Sequence, residues 1–221
     1  GIWAVQVHPF FLHHIKEEHT MKIIKGLMAA AVTGLLACGC SQQAGSAQTN
    51  ANADSASAQT SNSSMVQVTL PASLFQSLSQ EDIEEAAKKD GFESCTINED
   101  GTVTYTMTAQ KQQEMKDQLK QSFVTSINNL MKDKSVPASY VNVEYNDNCS
   151  IIDVYVNPSA YKQTDTSFAL GMFLPGVYYQ CFAGTDVNKV DVIINFINKN
   201  TKEPIETASF KRMMREMEKA S

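Results

Sequence analysis

Past Thr20 the chain contains neither histidine nor tryptophan; His8, His13, His14, His19 and Trp3 all lie in the first twenty residues. Without imidazole, a general base near neutral pH, a Ser-His or Cys-His nucleophile pair and most transition-metal sites lose the group they lean on. Arginine is scarce too, with only Arg212 and Arg215 in the whole chain. From residue 38 onward 22 acids face 15 bases, a net charge of −7. Such a chain lacks the basic footprint of a nucleic-acid binder, so nucleic acid is excluded as a partner. No Cys-x-x-Cys and no spaced Asp-x-Asp-x-Asp-Gly loop occurs. Zinc, thioredoxin-like and calcium-loop chemistry therefore find no support. The reading expects no metal, no cofactor and no catalytic residue.

What the chain does carry is an address. Met21-Lys22-Ile23-Ile24-Lys25 is a basic start, and residues 26–36 form an apolar run too short to cross a bilayer. The run closes at Leu35-Leu36-Ala37-Cys38. That junction resembles the lipobox of a bacterial lipoprotein signal peptide. The resemblance implies cleavage before Cys38, diacylglycerol on its thiol, and a mature protein held on the extracytoplasmic face of the cell membrane. Residues 21–37 are then the signal peptide. Residues 1–20 sit where such a signal leaves no room, and Lys16-Glu17-Glu18 can be encoded by a purine run like a ribosome-binding site. They are expected to be over-called upstream sequence, which the gene's nucleotide sequence decides.

Residues 42–64 are almost entirely Gln, Ala, Gly, Ser, Thr and Asn, with Asp54 the one acid. They bury too little apolar surface to offset chain entropy, so residues 38–64 read as a lipidated cysteine and disordered tether. Its 26 residues after Cys38 span roughly 25–30 Å root-mean-square and at most about 90 Å.

Residues 65–221 are one domain's length of chain. Val66 to Leu70 alternates as a short strand, and Ser79-Gln80-Glu81-Asp82 reads as the capping box of a helix ended by Gly91. Asn98-Glu99-Asp100-Gly101 marks a hairpin, with Val103, Tyr105 and Met107 sharing one face. Met115, Leu119, Phe123, Ile127 and Leu130 or Met131 form the buried stripe of a long helix. A second hairpin pairs Val141, Val143 and Tyr145 with Ile152, Val154 and Val156 around Asn146-Asp147-Asn148; a third turns at Asn198-Lys199-Asn200 before a terminal helix. Helix and hairpin recur three times, which predicts an α+β domain: one antiparallel sheet from three helix–hairpin units, helices mainly on one face.

Several motifs have competing meanings. Residues 167–183 hold no charge, yet they are short for a membrane span, and Pro175-Gly176 interrupts them. A kinked core helix is the expectation. A ligand pocket lined by Phe173, Tyr178 and Tyr179 is the functional alternative. Ser159-Ala160-Tyr161-Lys162 fits Ser-x-x-Lys, but the Ser-Asp-Asn and Lys-Thr-Gly partners of penicillin-recognising enzymes are missing. Acidic runs at residues 81–85, 98–100 and 146–148 are accounted for by a helix start and by tight turns. Cys95, Cys149 and Cys181 leave one disulfide open, with Cys181 expected as a free buried thiol. Met213, Met214 and Met217 beside Lys211, Arg212 and Arg215 make a basic amphipathic tail. It has three readings: docking on the core, contact with anionic lipid, or a partner helix.

Val68-Thr69-Leu70-Pro71, an acidic helix, the stretch from Asn98 to Met107 and a long helix follow one another here. In that order the chain resembles small uncharacterised lipoproteins of Gram-positive bacteria, mainly Bacillota. The resemblance implies a fold and no residue roles. Together these readings predict a membrane-tethered, non-catalytic domain binding a protein, wall polymer or small ligand. Alternatives are an envelope hydrolase working with carboxylates alone and a small solute-binding accessory lipoprotein.

Overall fold

The computed structural model describes residues 64–132 and 136–220. Residues 1–63, on which the expectations of over-called sequence (1–20), a signal peptide (21–37), a lipidated Cys38 and a tether fall, lie outside the described residues. Residues 63–221 form one compact unit.

The fold is α+β. Its strands are β1 (Met65–Leu70), β2 (Ser94–Ile97), β3 (Val103–Thr108), β4 (Tyr140–Tyr145), β5 (Ile151–Val156), β6 (Ile193–Asn198) and β7 (Pro204–Ser209). The helices are α1 (Gln80–Lys89), α2 (Ala109–Lys132), α3 (Thr166–Ala169), α4 (Phe173–Phe182) and α5 (Phe210–Ala220). They do not build one antiparallel sheet. A three-stranded antiparallel sheet has the order β1-β3-β2, and a separate four-stranded sheet has the order β4-β5-β6-β7, in which β5 and β6 run parallel. The reason lies in the connection between β5 and β6. It carries α3 and α4, and a helical crossover returns the chain to the end where it started, so the next strand runs parallel.

Local signals behave as their chemistry dictates. Ser79 and Asp82 cap α1 reciprocally: the Asp82 amide donates to Ser79 Oγ at 3.2 Å and the Ser79 amide to Asp82 Oδ2 at 3.1 Å. The Ser79 hydroxyl, which donates to Asp82 Oδ2 at 2.6 Å, and then the Ser79 amide hold the Asp82 carboxyl below its ordinary value. At the β2–β3 turn Gly101 adopts φ +79°, a conformation costly for any side chain. Val103, Tyr105 and Met107 are buried together, opposite Leu70, Val68 and Val66 of β1. Met115, Leu119, Phe123 and Ile127 are the buried face of α2, whose first turn is capped by Thr108 Oγ1 accepting from the Lys111 amide.

Two local expectations need correction. Tyr140 pairs with Val156 and Asn142 with Tyr155, so Val141 is the extra residue of a β-bulge and stands 49% exposed. One inserted residue resets the alternation, and Tyr140 takes the core position instead. Nor does Pro175 break the uncharged segment. The interruption falls at a 3-10 turn, Leu170–Met172, and Pro175 occupies the first turn of α4. There its missing N–H has no helical partner to lose. Helix α4 is buried almost all round, with Phe173, Pro175, Gly176, Val177, Tyr178, Gln180, Cys181 and Phe182 inside. No helix among the described residues is long and apolar enough to cross a membrane.

Candidate functional site

The aromatic trio on α4 does not converge. Phe173 and Tyr178 are core residues at 1% and 6% exposure, and Phe173 meets Phe210 edge-on with ring centres 6.0 Å apart. Five positions along a helix turn about 140° round it, so the two rings point to different sides. Tyr179 is half-buried and lies under Lys120, whose Nζ sits 5.1 Å from that ring and 5.6 Å from the ring of Tyr145. The ammonium also donates to the Asp147 carbonyl and to Cys149 Sγ, the latter at 3.4 Å. Cys95, Cys149 and Cys181 are free thiols. Burial raises all three, and pushes Cys181 up to about 12. They stay protonated near neutral pH and offer no thiolate nucleophile.

Sequence reasoning missed a polar cluster near the carboxyl ends of the parallel strands β5 and β6, in which Asp165 is buried and Glu206 half-buried. Ser139 Oγ donates to Asp165 Oδ2 at 2.6 Å, the Lys162 amide donates to the same oxygen at 3.1 Å, and Tyr140 Oη donates to the Asp165 carbonyl at 2.6 Å. Tyr161 Oη donates to Glu206 Oε2 at 2.8 Å, with Thr166 Oγ1 3.2 Å from that oxygen. Burial drives the phenols of Tyr140 and Tyr161 far above their ordinary value, and Glu206 adds to both shifts. Asp165 and Glu206 both lie close enough to Tyr161 to raise its phenol. Here Asp165 caps the 3-10 turn Gln163–Asp165 and ties it to Ser139, while Glu206 ties β7 to Tyr161. Charged hydrogen bonds of this kind fix loops. Ser159 Oγ donates to Asn157 Oδ1 at 3.1 Å, and Lys162 is exposed, so the Ser-x-x-Lys match carries no nucleophile–base pair. Among the described residues no three His, Cys, Asp or Glu side chains gather to hold a metal ion.

The four-stranded sheet carries a second arrangement on the face away from its core. Ile152, Val154, Val156, Ile194 and Phe196 fill the core side. The alternate positions turn outward in three rows fixed by the register. The central row runs Glu144, Asp153, Asn195, Thr207 across all four strands. Asn195 Nδ2 donates to Asp153 Oδ1 at 2.8 Å, and Thr207 Oγ1 to Asn195 Oδ1 at 3.0 Å. Glu144 accepts from Asn142 Nδ2 at 3.2 Å and from Tyr155 Oη at 3.1 Å, which raises that phenol. On one side stand Ile151 and Ile193, on the other Tyr155 and Ile197, with Lys202 Nζ 4.7 Å from the Tyr155 ring centre.

Two like charges, Glu144 and Asp153, thus sit directly opposite on neighbouring strands, a pairing that disfavours the bare sheet. Both edge strands of this sheet carry irregularities, at Val141 in β4 and between Phe196 and Ile197 in the β6–β7 ladder. Bulged edges discourage addition of another strand, leaving the face rather than the edge as the accessible feature. No protein family, curated protein or solved structure matches this chain.

Proposed function

We propose that this chain is an extracytoplasmic lipoprotein, anchored in the cell membrane through Cys38, whose domain binds without catalysis. The outward face of the four-stranded sheet is the binding surface. The observation that supports this most is the row Glu144–Asp153–Asn195–Thr207 with its isoleucine borders. Carboxylates, an amide and a hydroxyl in one line accept and donate repeatedly along an extended partner. Of the three partner classes, protein, wall polymer and small ligand, a hydroxyl-rich wall polymer suits it best. A flat face does not enclose a small molecule. A dry protein interface would bury Glu144 and Asp153 at a cost, whereas polymer hydroxyls donate to both in a wet one. The hydrolase reading gains less support, because Asp165 and Glu206 are engaged in holding loops.

Purified wall sacculi provide the probe. The protein is expected to co-sediment with them, and D153K together with T207K is expected to reduce retention by tenfold or more in a chain that still unfolds cooperatively. Retention unaffected by these changes, or release of soluble sugars from the sacculi, contradicts the reading.

A further inference from the structure

The chain's two arginines stand one helical turn apart on α5, among charges sorted by face. Lys211, Arg212, Arg215 and Lys219 occupy one side of the helix, and Phe210, Met213, Met214 and Met217 the opposite side. Phe210 is buried and the three methionines are half-buried, so the apolar side docks on the domain; Arg212, Arg215 and Lys219 are exposed. Of the three sequence readings of this tail, docking thus describes one face and leaves the other to account for. Glu216 and Glu218 lie at the borders of the basic side. The helix nets +2, while residues 38–209 carry 11 bases and 20 acids, a net of −9. Positive charge is therefore concentrated on one ridge of an otherwise acidic body.

The ridge is also held in place. Asp191 accepts from Ser209 Oγ at 2.9 Å and from the Lys211 amide at 3.0 Å, fixing the helix start. Ser209 Oγ accepts from the Arg212 amide at 3.3 Å. Lys211 Nζ and Arg212 Nη2 donate to the carbonyls of Asn188 and Thr207, which steadies both side chains.

We propose that this ridge docks on the anionic lipid surface of the membrane that holds the protein, so that the domain rests with α5 against the headgroups. The proposal rests on the lipoprotein reading, which supplies the membrane and a tether long enough to allow contact. Charge complementarity selects the partner: the net −9 of residues 38–209 is repelled by an anionic surface, whereas each exposed Lys or Arg on α5 near such a surface favours contact by several-fold.

The test uses the acylated chain purified from membranes and reconstituted into vesicles of phosphatidylcholine alone or mixed with phosphatidylglycerol. The readout is tryptic cleavage after Arg212 and Arg215, with cleavage after Lys88 and Lys89 as the internal reference. Phosphatidylglycerol is expected to slow cleavage in α5 by about tenfold. High salt abolishes the protection. K211Q with K219Q, which keeps both cleavage sites, removes most of it, and the reference sites are unaffected. Equal cleavage in the two vesicle types overturns the proposal. So does equal protection by a soluble polyphosphate without anionic lipid. If no acylated chain can be recovered, the lipoprotein reading itself fails, a result distinct from either of these.

Discussion

Replacing Gly176 by alanine is expected to cost about 2–3 kcal/mol of stability, the scale of forced overpacking in a filled core. A Cβ at this position would lie 2.6 Å from the Cys149 carbonyl oxygen and 2.8 Å from Val192 Cγ2. Neither neighbour can retreat easily. Cys149 sits at φ +57° in the β4–β5 turn, which Asn146 Oδ1 pins by accepting from the amides of Ser150 at 2.9 Å and Ile151 at 3.0 Å. Val192 is fully buried, and α4 is enclosed on nearly every side. Gly171 provides the comparison, because a Cβ there meets nothing within 4 Å. G171A is expected to be neutral or slightly stabilising, through reduced freedom of the unfolded chain. Urea unfolding followed by circular dichroism measures both. Equal midpoints for the two variants would show that α4 does not press on the turn.

Alkaline pH is expected to unfold the domain cooperatively. Tyr105, Tyr140, Tyr161 and Tyr178 all have phenols raised well above the ordinary value of 10.0, in each case mainly by burial. Folded values above unfolded ones mean that the protonated phenols stabilise the fold fully below about pH 10. That contribution is lost as pH rises from there through the folded values. Tyr161, the one of the four that is only half-buried, is the most readily ionised. The measurement is tyrosinate absorbance recorded alongside far-ultraviolet circular dichroism during an alkaline titration. The account predicts that a large part of the absorbance rise lags past pH 10 and then coincides with loss of structure. Smooth ionisation of every tyrosine near pH 10 with the fold intact would contradict it.

How far the residues alone reveal this architecture depends on the range of the interaction. The Ser79–Asp82 cap, the Asn98–Gly101 turn and the α2 stripe are legible because each is settled within a few positions of itself. The division into two sheets is not, since nothing in the alternation of β5 says which strand will lie beside it. The bulge at Val141 shifts the pattern by one residue and makes Tyr140 the core residue, a change visible only once β4 is set against β5. Both polar arrangements are assembled from distant segments. Asp165 joins Ser139 26 residues away, and Asn195 joins Asp153 42 away. One clue was available: Asp165 is an acid at the edge of a long uncharged segment, where a carboxylate needs donors nearby. The pocket expected from Phe173, Tyr178 and Tyr179 followed their chemical types, whereas their positions round α4 depend on what encloses it.

The lipid anchor at Cys38 is the premise of the functional account, and mass spectrometry of the N-terminal peptide from membrane fractions tests it most directly. The account predicts a chain beginning at Cys38 with diacylglycerol on its sulfur. Recovery from the cytosol of a chain that retains Trp3 and an unmodified Cys38 would contradict it.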